Sequence, residues 1–252
     1  MRGANSKRDV ATSFGRASTG YRDSPVHRGG RDLQLLSEWA NEATLALDVA
    51  TGAGHTGNAL MRAGVDEVIV VDLTPEMVAL AQSSFPLLRG VVGDAEGLPF
   101  PDDTFDAVSC RIAAHHFPDP ATFVAEVARV LAPGGVFVLE DNVAPDDEVL
   151  AEFLNRVERL RDPTHVESYS EQRWRDWLDD AGFVVEETAW VRRTLEFDSW
   201  VERIGVPQAR LDELQAAFDK APNAARRYFD IWYAEDGVAS FTTPKLLVRA
   251  RA

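Results

Sequence analysis

Cysteine is nearly absent: Cys110 is the single one in 252 residues. That excludes an internal disulfide and any cysteine cage for a metal. Cys110 lies in the apolar run FDAVSC and reads as a small buried hydrophobe rather than a nucleophile. Long apolar runs are missing too. No stretch reaches the ~18 residues of a membrane span, and the N-terminal MRGANSKRDVATSFG lacks the apolar segment of a secretory signal. A cytoplasmic location is the expectation. Basic residues are outnumbered, 26 Lys and Arg against 41 Asp and Glu, for a net charge of −15. So acidic a surface repels phosphate backbones and anionic headgroups, which argues against nucleic acid and membrane as partners and leaves a homodimer open. The five histidines show no pair at ligand spacing with an acidic partner, so no metal site is assigned. Repeats and low-complexity linkers are lacking as well, and the chain reads as one domain over residues 1–252.

What the chain does have is an alternation of strand and helix signals. ATLALDVA (43–50), DEVIVVDL (66–73), LLRGVVGD (87–94), TFDAVSCR (104–111) and VFVLED (136–141) are apolar or β-branched runs. Between them lie helical stretches: TGNALMRAG stopping at Gly64, TPEMVALAQSSF opening on Thr74 and Pro75, and DPATFVAEVARVLAPGG ending at Pro133. Repeated β-to-α steps of this kind predict an α/β fold, a Rossmann-like, doubly wound parallel sheet. Beyond residue 142 the reading is a helix stopped by Pro163, a capped helix ending at Gly182, a sixth strand VVEETAWV, two or three short helices and a closing strand SFTTPKLLVRA. One of the short helices carries Leu211, Leu214 and Phe218 on a face. Five of the six tryptophans fall in this half.

The loop LDVATGAGHTGNAL raises the functional question. Gly52, Gly54 and Gly57 fit the G-x-G-x-x-G pattern of nicotinamide and flavin proteins, in which backbone N–H groups meet a pyrophosphate. Here the preceding strand carries Asp48. A carboxylate aimed into the crevice opposes a pyrophosphate and suits a cationic ligand such as S-adenosylmethionine, with its ammonium and sulfonium. Asp72 ends the second strand, placed to accept from both ribose hydroxyls, and Asp94 ends the third, placed for an adenine amine while the Ala95 N–H donates to the ring. His115 and His116, just past the fourth strand, stand at the rim where a transferable group points, as candidate bases for an oxygen or enol-type acceptor. His55 is placed to shield the methionine moiety. The segment 11–31, with Tyr21 and His27, is expected to act as a lid or to lie as a surface arm, and HVESYS (165–170) to line the acceptor side. A roof containing Tyr169, Trp200, Tyr228 and Trp232 favours an apolar or aromatic acceptor.

The ordered runs LDVATGAGHTG, VIVVDLTPEMVALAQ, VVGDAEGLPFPDDTFDAVSCRIAAHHFPDP and LAPGGVFVLED resemble class I S-adenosylmethionine-dependent methyltransferases. The likeness is greatest to the branch of the ubiquinone and menaquinone biosynthesis enzymes and their small-molecule relatives. The resemblance implies a seven-stranded sheet with an antiparallel last strand, and C- or O-methylation of a small organic acceptor. It places Asp48, Gly52, Gly54, Asp72, Leu73, Asp94, Ala95 and Arg111 around the cofactor, with Ala50 and Met77 completing the set. Ala50 is also a departure, since the family's pattern has its first glycine there. On this reading residues 43–141 hold the cofactor and residues 142–236 surround the acceptor. A nicotinamide-dependent oxidoreductase and a non-catalytic S-adenosylmethionine-binding protein stay open as alternatives.

Overall fold

β-Branched and aliphatic runs become the strands of a single sheet in the structure, a computed structural model that describes residues 28–235 and 237–252 together with Lys7 and Thr12. Strands β1 (Leu45–Val49), β2 (Glu67–Asp72), β3 (Arg89–Val92), β4 (Phe105–Arg111) and β5 (Leu131–Asn142) run parallel. Then β6 (Val184–Glu196) and β8 (Gly237–Arg251) complete the order β3-β2-β1-β4-β5-β8-β6, with β8 antiparallel to both its neighbours. A short strand, β7 (Trp232–Ala234), pairs with the start of β8 off this path. The sheet therefore has eight strands where seven were expected, and the extra one is only three residues long.

The alternation of side chains along each strand gives the sheet two apolar faces. On one face Leu47, Val49, Phe137 and Leu139 pack with helix α4 (Pro120–Val130) and with Trp174 and Leu178 of α6 (Glu171–Asp180). On the other, Ala46, Val136 and Val138 pack with Leu36 of α1 (Arg31–Glu38), Leu60 of α2 (His55–Ala63) and Ala81 of α3 (Pro75–Ser84). A separate apolar cluster forms where α5 (Glu148–Arg161) meets α7 (Phe197–Glu202), α8 (Gln208–Asp219), α9 (Asn223–Tyr228) and the first half of β8. Leu214 and Phe218 are central to it, as their helical spacing predicted.

Helix ends follow local chemistry. Asp147 and Ser170 cap α5 and α6 by accepting N–H bonds from the first turn, and Gly64 closes α2 with φ 120°. Thr74 and Pro75 open α3 as expected, although the Thr74 side chain makes no cap bond. The parallel strands all deliver their carboxyl ends to one edge of the sheet, where the loops after β1, β2, β3 and β4 enclose a cavity.

Candidate active site

The cavity is walled by the Gly loop 50–56, by Asp72–Thr74, by Gly93–Glu96 and by the turn from Arg111 to Pro118. Ala50, Gly52, Leu73, Met77 and Ala95 line it, as expected from the sequence, and so does His55. Gly52 has φ 55°, and a Cβ built there meets nothing within 4 Å, so its bare backbone is open to a ligand. Ala50, standing where the family pattern has glycine, also holds a positive φ of 53°. Ile112 does the same, and for a β-branched residue that conformation is a strained one, of the kind concentrated at working sites.

Asp72 sits at the end of β2 with its carboxylate on the cavity. Its Oδ2 accepts from the Gly52 N–H at 2.9 Å and its Oδ1 from the Thr74 N–H at 2.9 Å. Burial pushes its pKa up, against the pull of those N–H donors. A carboxylate offers about four lone-pair sites, so Asp72 keeps acceptor capacity beyond these bonds. Asp94 accepts from the Glu96 N–H at 3.0 Å. It also meets Lys7, whose ammonium bridges Asp94 at 2.5 Å and Glu96 at 2.6 Å. Lys7 and Glu96 were not foreseen, since nothing local marks a lysine so remote from the strand ends.

Two of the residues expected at the cofactor, Asp48 and Gly54, do not line the cavity. Asp48 is fully buried beneath the Gly loop and does not line the cavity. Its Oδ2 accepts from the Thr51 hydroxyl at 2.6 Å and the Gly57 N–H at 3.1 Å, and its Oδ1 from the Ser109 hydroxyl at 2.7 Å. Burial raises its pKa to about 6, moderated by those donors. The carboxylate thus anchors the loop from behind, so its presence is no argument against a pyrophosphate in the crevice. Gly54 is off the cavity too: it caps α2 with φ 85°, and a Cβ there would sit 3.0 Å from the Ala81 Cβ. Packing, with its backbone conformation, sets that glycine. Arg111 does line the cavity, but Asp32 from α1 clamps its guanidinium at 2.8 Å and Glu140 from β5 at 2.5 Å. Tyr21 and His27 fall outside the described residues.

The two histidines part company. His116 lines the cavity, and its Nδ1 is 3.1 Å from the Thr164 carbonyl oxygen. Burial, and the charge of His115 beside it, lower its pKa to about 4. His115 is off the cavity, with its Nδ1 on Asp141 Oδ1 at 2.5 Å and its backbone N–H on Asp141 Oδ2 at 2.8 Å. Although burial works the other way, His115 holds Asp141 below the usual carboxylate range. His165, from the segment expected on the acceptor side, packs against both rings at 5.4 Å and 6.4 Å between centroids. The aromatic roof is not where the sequence put it. Trp200 is buried in the C-terminal apolar cluster, and Trp232 is exposed. Tyr169 packs on Trp174 and Trp177, and Tyr228 lies under Arg192. Near His116 the described cavity wall is instead Ile112, Ala113, Phe117 and Pro118. Cys110 is buried, and burial pushes its thiol pKa well up, so it behaves as a core residue.

A sheet of this order, with a glycine loop and acidic strand ends at one edge, defines the class. Residues 47–139 match the family model described as a methyltransferase domain. The chain is 39% identical over 247 residues to the uncharacterized methyltransferase YcgJ of Bacillus subtilis, covering 94% of this chain and 97% of that one. A solved methyltransferase structure from Bacillus halodurans superposes with a TM-score of 0.84 at 37% identity, covering 88% of this chain and 99% of that chain. The demethylmenaquinone methyltransferase of Deinococcus radiodurans is 39% identical over 119 residues, 45% of this chain and 49% of that one. The protein belongs to the S-adenosylmethionine-dependent methyltransferase family. Among the described residues no helix is long and apolar enough to cross a membrane, and no group of three or more His, Cys, Asp or Glu is placed to hold a metal.

Proposed function

We propose that this protein methylates a small organic acceptor at oxygen or at an enol-type carbon, using S-adenosylmethionine bound in the cavity at the strand ends. One observation carries the reading: Asp72 and Asp94, from successive strand ends, share a cavity with His116. The residues suit the cofactor. Asp72 has acceptor capacity for two ribose hydroxyls, Asp94 for an adenine amine, and Gly52 presents backbone without a side chain. When bound, the cofactor supplies an electrophilic methyl carbon. The chain's own task is to hold the acceptor against it and to manage a proton, and positioning of this kind can lower a barrier by roughly 7–11 kcal/mol.

The wall beyond His116 is apolar, and the nearby Arg111 charge is met by Asp32 and Glu140. Both features favour an uncharged, apolar acceptor over a phosphorylated one. That agrees with the name of the demethylmenaquinone methyltransferase relative, which gives a quinone as its acceptor.

Calorimetric titration with S-adenosylmethionine, S-adenosylhomocysteine and NADH tests the assignment. Both adenosyl compounds are expected to bind one per chain, and Asp72→Ala to weaken them by about 1.5–3 kcal/mol, roughly 10- to 100-fold. NADH binding in their place would overturn the reading, and unchanged affinity in Asp72→Ala would remove Asp72 from the ribose.

A further inference from the structure

The two acids read as adenosine contacts are not held alike. Asp72, 9% exposed, is fixed by two backbone donors, the Gly52 and Thr74 N–H groups. The Asp94 side chain is 36% exposed and has one such donor, the Glu96 N–H on its Oδ1 at 3.0 Å. A carboxylate with that much freedom turns to water unless something else orders it. What orders it is Lys7, 87 positions away in the chain, whose ammonium lies 2.5 Å from Asp94 Oδ2.

Lys7 does not act on Asp94 alone. Its Nζ is also 2.6 Å from Glu96 Oε2, and Glu96 Oε1 accepts from the Asp119 N–H at 2.7 Å. Asp119 in turn caps helix α4, its carboxylate accepting from the Thr122 N–H at 3.2 Å. Glu96 is therefore a bracket on the start of α4, and the ammonium links that bracket to Asp94. The backbone closes the same turn, with the Gly97 N–H donating to the Asp94 carbonyl at 3.1 Å. Ala95, the other residue read as an adenine contact, sits inside this turn, and Lys7 lines the cavity together with Asp94, Ala95 and Glu96. Two carboxylates brought to one spot repel. A cation between them replaces the repulsion by two charge-assisted bonds. Burial works to lower the Lys7 pKa, yet the bonds to Asp94 and Glu96 raise it above its ordinary value, so the ammonium stays charged at pH 7.

We propose that Lys7 is a positioning residue of the cofactor site, which by bridging Asp94 to Glu96 holds the Asp94 carboxylate where it accepts from the adenine amine. The proposal rests on the methyl-transfer reading above. Lys7 itself makes no bond to the purine. Its ammonium engages Asp94 Oδ2 and leaves the carboxylate with lone pairs for the amine. Selectivity for an amine-bearing purine then depends on a lysine near the N-terminus. A carboxylate held in place rejects an oxo purine, because two acceptors face each other. A loose one turns away and admits it.

Calorimetry with S-adenosylhomocysteine and S-inosylhomocysteine, in which a carbonyl replaces the amine, tests this without knowledge of the acceptor. The wild type is expected to prefer the adenosyl compound by about 20-fold or more. Lys7→Ala should weaken S-adenosylhomocysteine by about 10-fold and S-inosylhomocysteine by less than about 2-fold, so that the preference collapses. Lys7→Arg, which keeps a cation within reach of both acids, should stay within about 3-fold of wild type for both compounds. In an Asp94→Ala background, Lys7→Ala should cost less than about a further 2-fold, because the two residues act through one carboxylate. Equal weakening of both compounds by Lys7→Ala overturns the proposal, and so does a full tenfold loss in the Asp94→Ala background. Unchanged affinity and preference in folded Lys7→Ala overturn it as well. Absence of S-adenosylhomocysteine binding to the wild type defeats the methyl-transfer reading, and the role of Lys7 with it. Binding whose purine preference does not depend on Lys7 defeats the positioning proposal alone.

Discussion

Asp48 shows how a single carboxylate can be essential to a binding loop without touching the ligand. It receives three hydrogen bonds, from Thr51, Ser109 and Gly57, inside the protein. Asp48→Ala strands those donors, of which the Gly57 N–H cannot turn away, and should cost about 2–3 kcal/mol of stability. Asp48→Asn can keep an oxygen towards Gly57 and Thr51 and turn its amide towards Ser109, so it should cost less than about 1 kcal/mol. Cofactor affinity in Asp48→Asn is then expected to stay within a few-fold of wild type, measured by calorimetry. A loss of a hundred-fold or more in that variant would mean that the carboxylate's charge acts on the ligand directly.

Helix α1 is held to the sheet by charge as well as by Leu36. Asp32, 1% exposed, lies between Arg111 at 2.8 Å and Arg193 at 3.1 Å, bringing α1, β4 and β6 together. The two cations hold the Asp32 pKa down although burial works against them, whereas burial raises that of Glu140 on the other side of Arg111. Removing the central acid leaves two guanidinium groups without their shared partner. Because a broken buried pair costs about 3–5 kcal/mol, Asp32→Ala should lower the urea midpoint sharply with little change in slope. A midpoint shift equivalent to less than about 1 kcal/mol would show that the helix is held by its apolar face alone.

For the molecule as a whole, the buried histidines give stability a dependence on pH whose sign can be worked out. His116 titrates at about 4 when folded, against an ordinary 6.5, and burial also moves His165 well below that value. Between those limits the unfolded chain binds more protons than the folded one, so this contribution is present near neutral pH and is lost on acidification. Asp48 works the other way. Its folded pKa of about 6 exceeds the ordinary 3.8, so its contribution is full below pH 3.8 and is lost as pH rises through 6. Comparison with His116→Gln separates the two effects. As pH falls from 7 to about 4.5, the wild type should lose stability relative to that variant, read from urea midpoints at each pH. A difference constant with pH would mean that His116 is not buried as a neutral ring.

The strands, most helix ends, the Gly loop and the acids closing β2 and β3 were legible in the chain because each depends on residues close in sequence. Period, caps and breakers act over a few positions, and a parallel sheet brings its strand ends to one edge whatever the details of packing. Asp72, Asp94 and Gly52 therefore line the cavity as the sequence implied. Which way a side chain faces after the chain turns is another matter. Asp48 could point into the crevice or under the loop, and it goes under because Ser109, 61 residues away, is its strand-paired neighbour in the sheet. His115 and His116 are adjacent in sequence, yet they are separated in role by Asp141 on β5 and Thr164 beyond α5. The tryptophans carried an aromatic signal but no address. Trp200 went into a core of its own, with Phe218 and Phe241, because burying large rings together is the strongest apolar gain open to that half of the chain. Partners tens of residues apart are chosen by how loops dock on the finished sheet, and no local pattern encodes that choice.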